Sequence, residues 1–581
     1  MTPGATPEAA PPPPARRVAL RAMLVVGGLA TLLTLIVFHT GVLHPQAVMV
    51  GGAGSEHMSG AWVFTWSQRS VVEDHRFPLV IDGAGKSGRS LLYPLSVATT
   101  FVTLPLYPLL DIGARYNAAM VFNFVLALVA AFALFRHLGG DDAVALPGAT
   151  MFALSPFLTS HWNAGPPEGA ALGWLPLALL AAEALRRGDR VPLHHSALKG
   201  VAIAVAFAGN PYYGIFAALG SAYLTLTHPG TPWLRRLIDT AVMTVVSTVL
   251  MLPLALAIRY SLDHPDAMFA GYSEQFSWDL VNVDNADVLA FFLPLKEWVR
   301  PAHYLGVVAL GAALWAGVRA RPARRWLWLG IAGLVFACGG TLRIAGAVPT
   351  LGGREFALPA RYLCDTVPPF TFITHPFRTI PLITLTLGAA ISLLLARIRV
   401  PRLRYGASAA LVVAIAIDSL VIAPSRFPID TQPFHVPEFY RTLADDPDEY
   451  AVLDVPMGHH DATLGRYLIS HLYHSKRIPY DIEGKLIPLE DAPIAFAFVN
   501  SLNTGRTHFA PPGEPVTPYK CQSPRCDAIP VLAERGYRYV VLHRYLVAEA
   551  TAAELRNCIE PCIEGIHHQD DEVTVYAIPE S

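Results

Sequence analysis

Apolar residues in this chain come in long runs, separated by short clusters of arginine, proline and glycine. About 20 residues at 1.5 Å each span a hydrocarbon core of about 30 Å. Eleven runs have fuzzy ends but spanning character: 18–43, 115–136, 143–160, 168–186, 194–209, 211–228, 237–259, 303–319, 325–343, 379–397 and 405–424. A further stretch, 94–111, holds Pro94, Pro105 and Pro108 and reads as a segment lying along the surface. Charge supports leaving it out. With eleven crossings, every other connector carries the arginines: Arg136; Arg186, Arg187 and Arg190; Arg235 and Arg236; Arg319, Arg321, Arg324 and Arg325; Arg397, Arg399, Arg402 and Arg404. Short arginine-rich loops stay in the cytoplasm. Arg16, Arg17 and Arg21 place the N-terminus there as well. The first run is too long for a signal-peptide core, and His44-Pro45-Gln46 is a poor cleavage site, so it is expected to be a retained span. Gly209-Asn210-Pro211 either turns between two spans or kinks one helix.

Composition narrows the class. Of 581 residues, 53% are hydrophobic and 15% charged, with a mean hydropathy of +0.40. Soluble globular chains carry roughly 25% charged residues, so a soluble enzyme is excluded. A net charge of −2 gives no field that favours nucleic acid. The expected fold is a polytopic α-helical membrane protein of eleven transmembrane helices with a C-terminal extracytoplasmic α/β domain. Residues 1–15 should form a disordered Pro/Ala-rich arm, 16–424 the transmembrane domain, and 425–581 the soluble domain. The large outer loops are 44–114, 260–301 and 344–378. Asp111, Glu168, Asp239, Glu183, Asp418 and His39 fall near span ends, while span centres offer Asn123, Trp174 and Ser247. Without a carboxylate in mid-membrane, an ion-coupled transporter is disfavoured.

The first outer loop carries Gly54-Ser55-Glu56-His57-Met58-Ser59-Gly60-Ala61-Trp62-Val63-Phe64-Thr65-Trp66, then Phe77-Pro78, Asp82 and Tyr93-Pro94. Tyr116-Asn117, Leu154-Ser155-Pro156-Phe157 ahead of His161, Gly173-Trp174-Leu175-Pro176-Leu177 and His375-Pro376-Phe377-Arg378 follow. In the tail stand Val452-Leu453-Asp454-Val455-Pro456 and Arg538-Tyr539-Val540-Val541-Leu542-His543. This order resembles the bacterial integral-membrane glycosyltransferases of the GT-C superfamily that use polyprenyl-phosphate-linked sugars. Such enzymes commonly carry an Asp in the first loop, often with a second acidic residue nearby. This chain has Glu56 and then Ser59, and the extra methylene moves the carboxylate by roughly an angstrom.

The resemblance implies transfer of a sugar from a polyprenyl-phosphate-linked donor to an envelope glycan, lipid or protein acceptor, on the outer face of the bacterial cytoplasmic membrane. Membrane lipids are the other partners. The chemistry needs a base for the acceptor hydroxyl and a cation or metal for the leaving phosphate. Glu56 is the expected base, with Glu168 or Asp74 as helper; the alternative for Glu56 is the cap of a loop helix. Arg378 and His375 are the expected phosphate partners, His161 lines the site, and Trp62 and Trp66 stack on sugar or anchor the interface. Tyr212 and Tyr213 read as belt aromatics. A carboxylate-bound divalent cation, Mg or Mn, would suit the phosphate. A non-enzymatic scaffold, flippase or assembly factor for envelope polysaccharide is the competing reading.

In the tail, 438–444, 528–535 and 550–558 read as helices, and 450–455, 537–543 and 573–578 as strands. Its histidines, among them His459, His460, His471, His474, His508, His543, His567 and His568, lack the spacing of a zinc motif. Cys521, Cys526, Cys558 and Cys562 suit two disulfides outside the cytoplasm, with a zinc site of four thiolates as the alternative although neither spacing is CxxC. Three pairings are open, and the local bridges Cys521–Cys526 and Cys558–Cys562 are the simplest.

Overall fold

The computed structural model describes residues 15–52, 56–78, 80–81, 89–90, 96–163, 167–185, 192–263, 285–294, 303–367, 370, 373, 375–456, 461–479, 492–502, 519–521 and 524–579. The predicted N-terminal arm up to residue 14, the arginines at 186, 187 and 190, most of loop 260–301, and His459, His460 and His508 lie outside them.

Each of the eleven apolar runs is helical. The first is α1 (Ala15–Leu43), followed in the loop 44–114 by α2 (His57–Val72) and α3 (Val97–Thr103). Next come α4 (Ile112–Gly139), α5 (Asp142–Ala153) and α6 (Pro156–Asn163), the last two sharing one run that breaks ahead of Pro156. They are followed by α7 (Trp174–Ala184), α8 (Leu193–Gly209), α9 (Pro211–Leu226) and α10 (Trp233–Asp263). Later runs form α11 (Val307–Arg319), α12 (Arg321–Ala337), α13 (Ile380–Leu395) and α14 (Pro401–Ile417).

Length separates these helices into two groups. Among the described residues, six segments are long and apolar enough to cross a membrane: Leu20–Leu43, Ile112–Gly139, Asp142–Asn163, Trp233–Arg259, Pro376–Leu395 and Pro401–Ile422. The remaining predicted runs give shorter helices; α7 has 11 residues and α8 has 17. In run 168–186 the first turn is taken by a 3-10 turn, Pro167–Ala170, which shortens the helix. The stretch at 94–111 gives only the 7-residue α3 and a 3-10 turn, about 10 Å of α-helix. Asn210 is extended between α8 and α9, and its side chain accepts from the Tyr212 amide at 2.9 Å. Gly209-Asn210-Pro211 is therefore a turn between two helices.

Helix ends that the charge pattern assigns to one side meet there. Asp142 at the α4–α5 junction pairs with Arg136 at 2.5 Å and lies 3.9 Å from Arg21 of α1. Its neighbour Asp141 pairs with Arg404 of α14 at 2.5 Å, and Glu183 of α7 with Arg325 of α12 at 2.5 Å. Between the two ends the bundle is packed with aromatics; Trp162 meets Phe38 and Phe124 edge-on, each at 5.1 Å.

At the opposite end the tail closes over the first loop. Strand β1 (Val48–Val50) pairs antiparallel with β2 (Thr431–Pro433). The tail then folds around a four-stranded sheet of β3 (Ala451–Val455), β4 (Tyr537–His543), β5 (His568–Gln569) and β6 (Val573–Ala577), ordered β3-β4-β6-β5. β3 and β4 are parallel, and the other pairs antiparallel. Helix α15 (Asp461–His474) packs on α2. The cysteines pair across the domain, Cys521 with Cys558 and Cys526 with Cys562, so the local pairing expected as simplest is not the one formed. The close approach is made by the helix of residues 549–559, which brings Cys558 and Cys562 back to the segment at 521–526.

The α2–α15 contact fixes Trp62 and Trp66. The Trp62 indole N–H donates to His471 Nδ1 at 3.2 Å, and Trp66 stacks on the same imidazole at 5.5 Å. Trp62 is completely buried. Trp62→Ala should cost about 3–5 kcal/mol, read as a lower melting temperature in detergent and earlier proteolytic cleavage of the tail. Other tail histidines among the described residues also have structural partners. His543 Nε2 lies 3.0 Å from Asp454 and 2.7 Å from the Tyr440 hydroxyl, all three buried. His568 stacks on Phe439 and contacts Asp570 at 3.1 Å.

Candidate active site

The site lies where the N-terminal ends of α2 and α4 and the C-terminal end of α6 meet two 3-10 turns. Gly51 has φ of +121°, and a Cβ there would stand 2.3 Å from the His57 ring. Only glycine lets the chain turn so close ahead of α2. Gly52 then donates its N–H to the Asn163 carbonyl at 2.7 Å, tying the loop to α6. Glu56 follows as the exposed N-terminal cap position of α2. His57, one residue on, is fully buried.

The hydrogen bonds of His57 assign its tautomer. Nε2 faces the His161 carbonyl at 3.0 Å, and a carbonyl only accepts, so Nε2 carries the proton. Nδ1 therefore accepts from the Tyr116 hydroxyl at 2.6 Å. Burial lowers the His57 pKa to about 4, so the ring is neutral at physiological pH and acts as a fixed dipole. By the same logic His161 donates from Nδ1 to the Phe157 carbonyl at 2.9 Å.

Glu168 sits in the 3-10 turn Pro167–Ala170. Its carbonyl accepts from Asn210 Nδ2 at 3.2 Å, and the next carbonyl, of Gly169, accepts from the Tyr213 hydroxyl at 2.7 Å. Gly169 is required at this point, because a Cβ would come within 2.0 Å of the His161 ring. Arg378 stands in the second turn, Pro376–Thr379, with its guanidinium 4.8 Å from the centre of the Tyr212 ring. Burial raises the Glu168 pKa above its usual 4.5, and the nearby Arg378 cation opposes part of that rise. Arg378 and His375 both lie within electrostatic reach of His161. The structure thus brings Glu168, His161, His375 and Arg378 together, and sets Glu56 next to His57 at the rim.

Other sequence candidates fall elsewhere. Asp74 follows the far end of the 16-residue α2, about 24 Å along the axis from Glu56, and pairs with Arg76 at 3.3 Å. Trp62 and Trp66 face α15. His57, Tyr116, Tyr212 and Tyr213 complete the site; Tyr116 and His57 stood inside quoted motifs, and their proximity comes from the α2–α4 packing.

A small recess opens beside Glu168 between α2, α3 and α4. As for a divalent cation, no three His, Cys, Asp or Glu converge among the described residues. The carboxylate at the centre, Glu168, already faces the Arg378 cation, which repels a second positive charge. These residues do not fit a metal.

No protein-family model matches the chain, and neither does any curated protein. Solved structures similar to it include the oligosaccharyltransferase of Archaeoglobus fulgidus in the apo form, at TM-score 0.47 and 12% identity over 91% of this chain and 70% of that one. ArnT from Cupriavidus metallidurans bound to undecaprenyl phosphate is similar at TM-score 0.44 and 13% identity, over 97% of this chain and 99% of that one.

Proposed function

We propose that this protein transfers a sugar from a polyprenyl-phosphate-linked donor to a hydroxyl-bearing glycan, lipid or protein acceptor on the outer face of a bacterial cytoplasmic membrane. The observation that carries this reading is the placement of Glu168: one carboxylate set between the Arg378 cation and an open recess. The acceptor oxygen attacks the anomeric carbon as Glu168 takes its proton. The bond to the phosphate oxygen breaks with its electron pair on the phosphate, and Arg378, with His375 beside it, stabilises that charge. Neutral His57 and Tyr116 hold the rim rigid. Glu56, exposed and one residue ahead of His57, is assigned a secondary electrostatic role.

The orientation belongs to the same proposal. The arginine-rich ends face the cytoplasm and the tail lies outside, with all eleven helical runs crossing, the shorter ones inside the bundle. A reporter fused after Arg404 should be cytoplasmic and one after Ser425 external; the reverse pattern rejects the arrangement. Transfer itself is tested in membranes containing the chain, by following radiolabelled sugar from polyprenyl-phosphate-linked donors into envelope acceptors.

A further inference from the structure

The polarity of residues 96–110 is inverted for a surface that meets water. No charged residue lies between Arg89 and Asp111. Helix α3 and the 3-10 turn after it run on as one apolar helix, Val97–Leu106, about 16 Å long. The buried side chains of α3 are polar: Thr99, Thr100 and Thr103. The exposed ones are apolar. Phe101 stacks on Phe77 at 6.0 Å with both rings open to the outside, Val102 is exposed beside it, and Leu109 further on is 72% exposed. In water this arrangement costs free energy on both faces, because apolar area stays hydrated while hydroxyls are withdrawn from solvent.

Hydrogen bonds give the depth of this helix. Ser96 donates to Thr99 at 2.9 Å, and Thr99 donates to the side-chain oxygen of Asn123 at 3.0 Å. Asn123 belongs to the long apolar helix α4, whose far end is marked by Arg136 paired with Asp142. About 20 residues of helix cover the 30 Å hydrocarbon core, and counted back from Arg136 they reach Tyr116. At that level Arg115 lies over the Tyr107 ring at 4.2 Å, and the Tyr107 hydroxyl donates to Glu73 at 2.5 Å. Such a tyrosine and arginine suit a membrane boundary. Asn123 is about 10 Å further in.

We infer that residues 96–110 are a re-entrant segment, which starts inside one leaflet and returns to the boundary at Tyr107 without crossing. Its partner is lipid: Phe101 and Val102 lie against acyl chains, and the threonines lie against the bundle. Polar groups survive at this depth only where protein satisfies them. Here Gln68 donates to the Thr103 hydroxyl at 3.2 Å, and Thr103 donates to the Thr99 carbonyl at 2.7 Å. The inference rests on α4 crossing a membrane and is independent of sugar transfer.

The test is spin labelling of the full chain in vesicles of phosphatidylcholine and phosphatidylglycerol. Cys338→Ala and Cys364→Ser first remove the two thiols outside the disulfides. Labels go on Phe101→Cys and Val102→Cys, with Val413→Cys on the exposed face of α14 as the lipid reference and Glu438→Cys in the tail as the water reference. Collision with oxygen, which concentrates in hydrocarbon, is compared with collision with a water-soluble nickel chelate. The labels at 101 and 102 should favour oxygen as the label at 413 does, and one at Leu109→Cys should read nearer the boundary. Labels at 101 and 102 that favour the chelate, as at 438, put the segment in water and overturn the inference. Labels that neither reagent reaches mean that protein covers this face, which overturns it too. The wild-type chain gives a second readout with no substitution. A lipid carrying a diazirine in mid-chain should label peptides from 97–110 as well as from α14, and label on α14 alone overturns the inference. Both readouts should be the same in Glu168→Gln, so failure of the transfer reading and failure of this one are told apart.

Discussion

Glu168→Gln is expected to lower sugar transfer by about 10²–10⁴-fold, the range for a general base, without releasing the lipid-linked donor. Gln keeps the size and part of the hydrogen bonding but cannot take a proton. Loss of activity through unfolding is separable by its sign. The folded protein raises the Glu168 pKa, so it holds the proton more tightly than the unfolded chain does. Above the folded pKa the ionised side chain therefore weakens the fold, and stability is regained as pH falls through that pKa. Glu168→Gln should melt at a higher temperature than wild type at neutral pH, and the difference should close on acidification. An inactive variant that is also less stable at neutral pH would point to a structural role. Glu56→Gln, at an exposed position, should lose far less activity.

Arg378→Gln should cost about 10²–10³-fold in transfer, as expected when one preorganised group that stabilises developing charge is removed. It carries a second signature. Arg378 holds the Glu168 pKa down, so removing the cation lets it rise further. Because the base works deprotonated, the ascending limb of the pH–rate profile lies above 4.5 in wild type and should move to higher pH in Arg378→Gln. Loss of rate with an unmoved limb would mean that Arg378 acts on the substrate but does not set the ionisation of Glu168.

The helices were legible because most apolar runs are bounded by arginine, proline or glycine, and each of these runs folds as helix. Their lengths were less so. A 3-10 turn such as Pro167–Ala170 is fixed by what Asn210 and Tyr213 bond to, and those residues are 42 and 44 positions away. For the site, Glu168, His161, His375 and Arg378 could each be singled out by residue type and by position at a span end. Their convergence needs the folds of three separate segments. Trp62 and Trp66 show the limit clearly. Their i, i+4 spacing puts them on one helix face, but the partner of that face, His471, is 409 residues further along. Asp74 failed to join the site for a simpler reason, since a helix keeps its two ends apart. The cysteine spacings allowed three pairings, and the packing of the helix at 549–559 selects one that local spacing disfavoured.

The most direct measurement is to incubate the purified protein with an undecaprenyl-phosphate-linked sugar and an envelope acceptor fraction, and to resolve the lipid product by mass spectrometry. The account predicts undecaprenyl phosphate released in step with sugar appearing on the acceptor, at a rate that collapses in Glu168→Gln. An intact lipid donor across neutral and charged sugars, or release that is unchanged in Glu168→Gln, would contradict it.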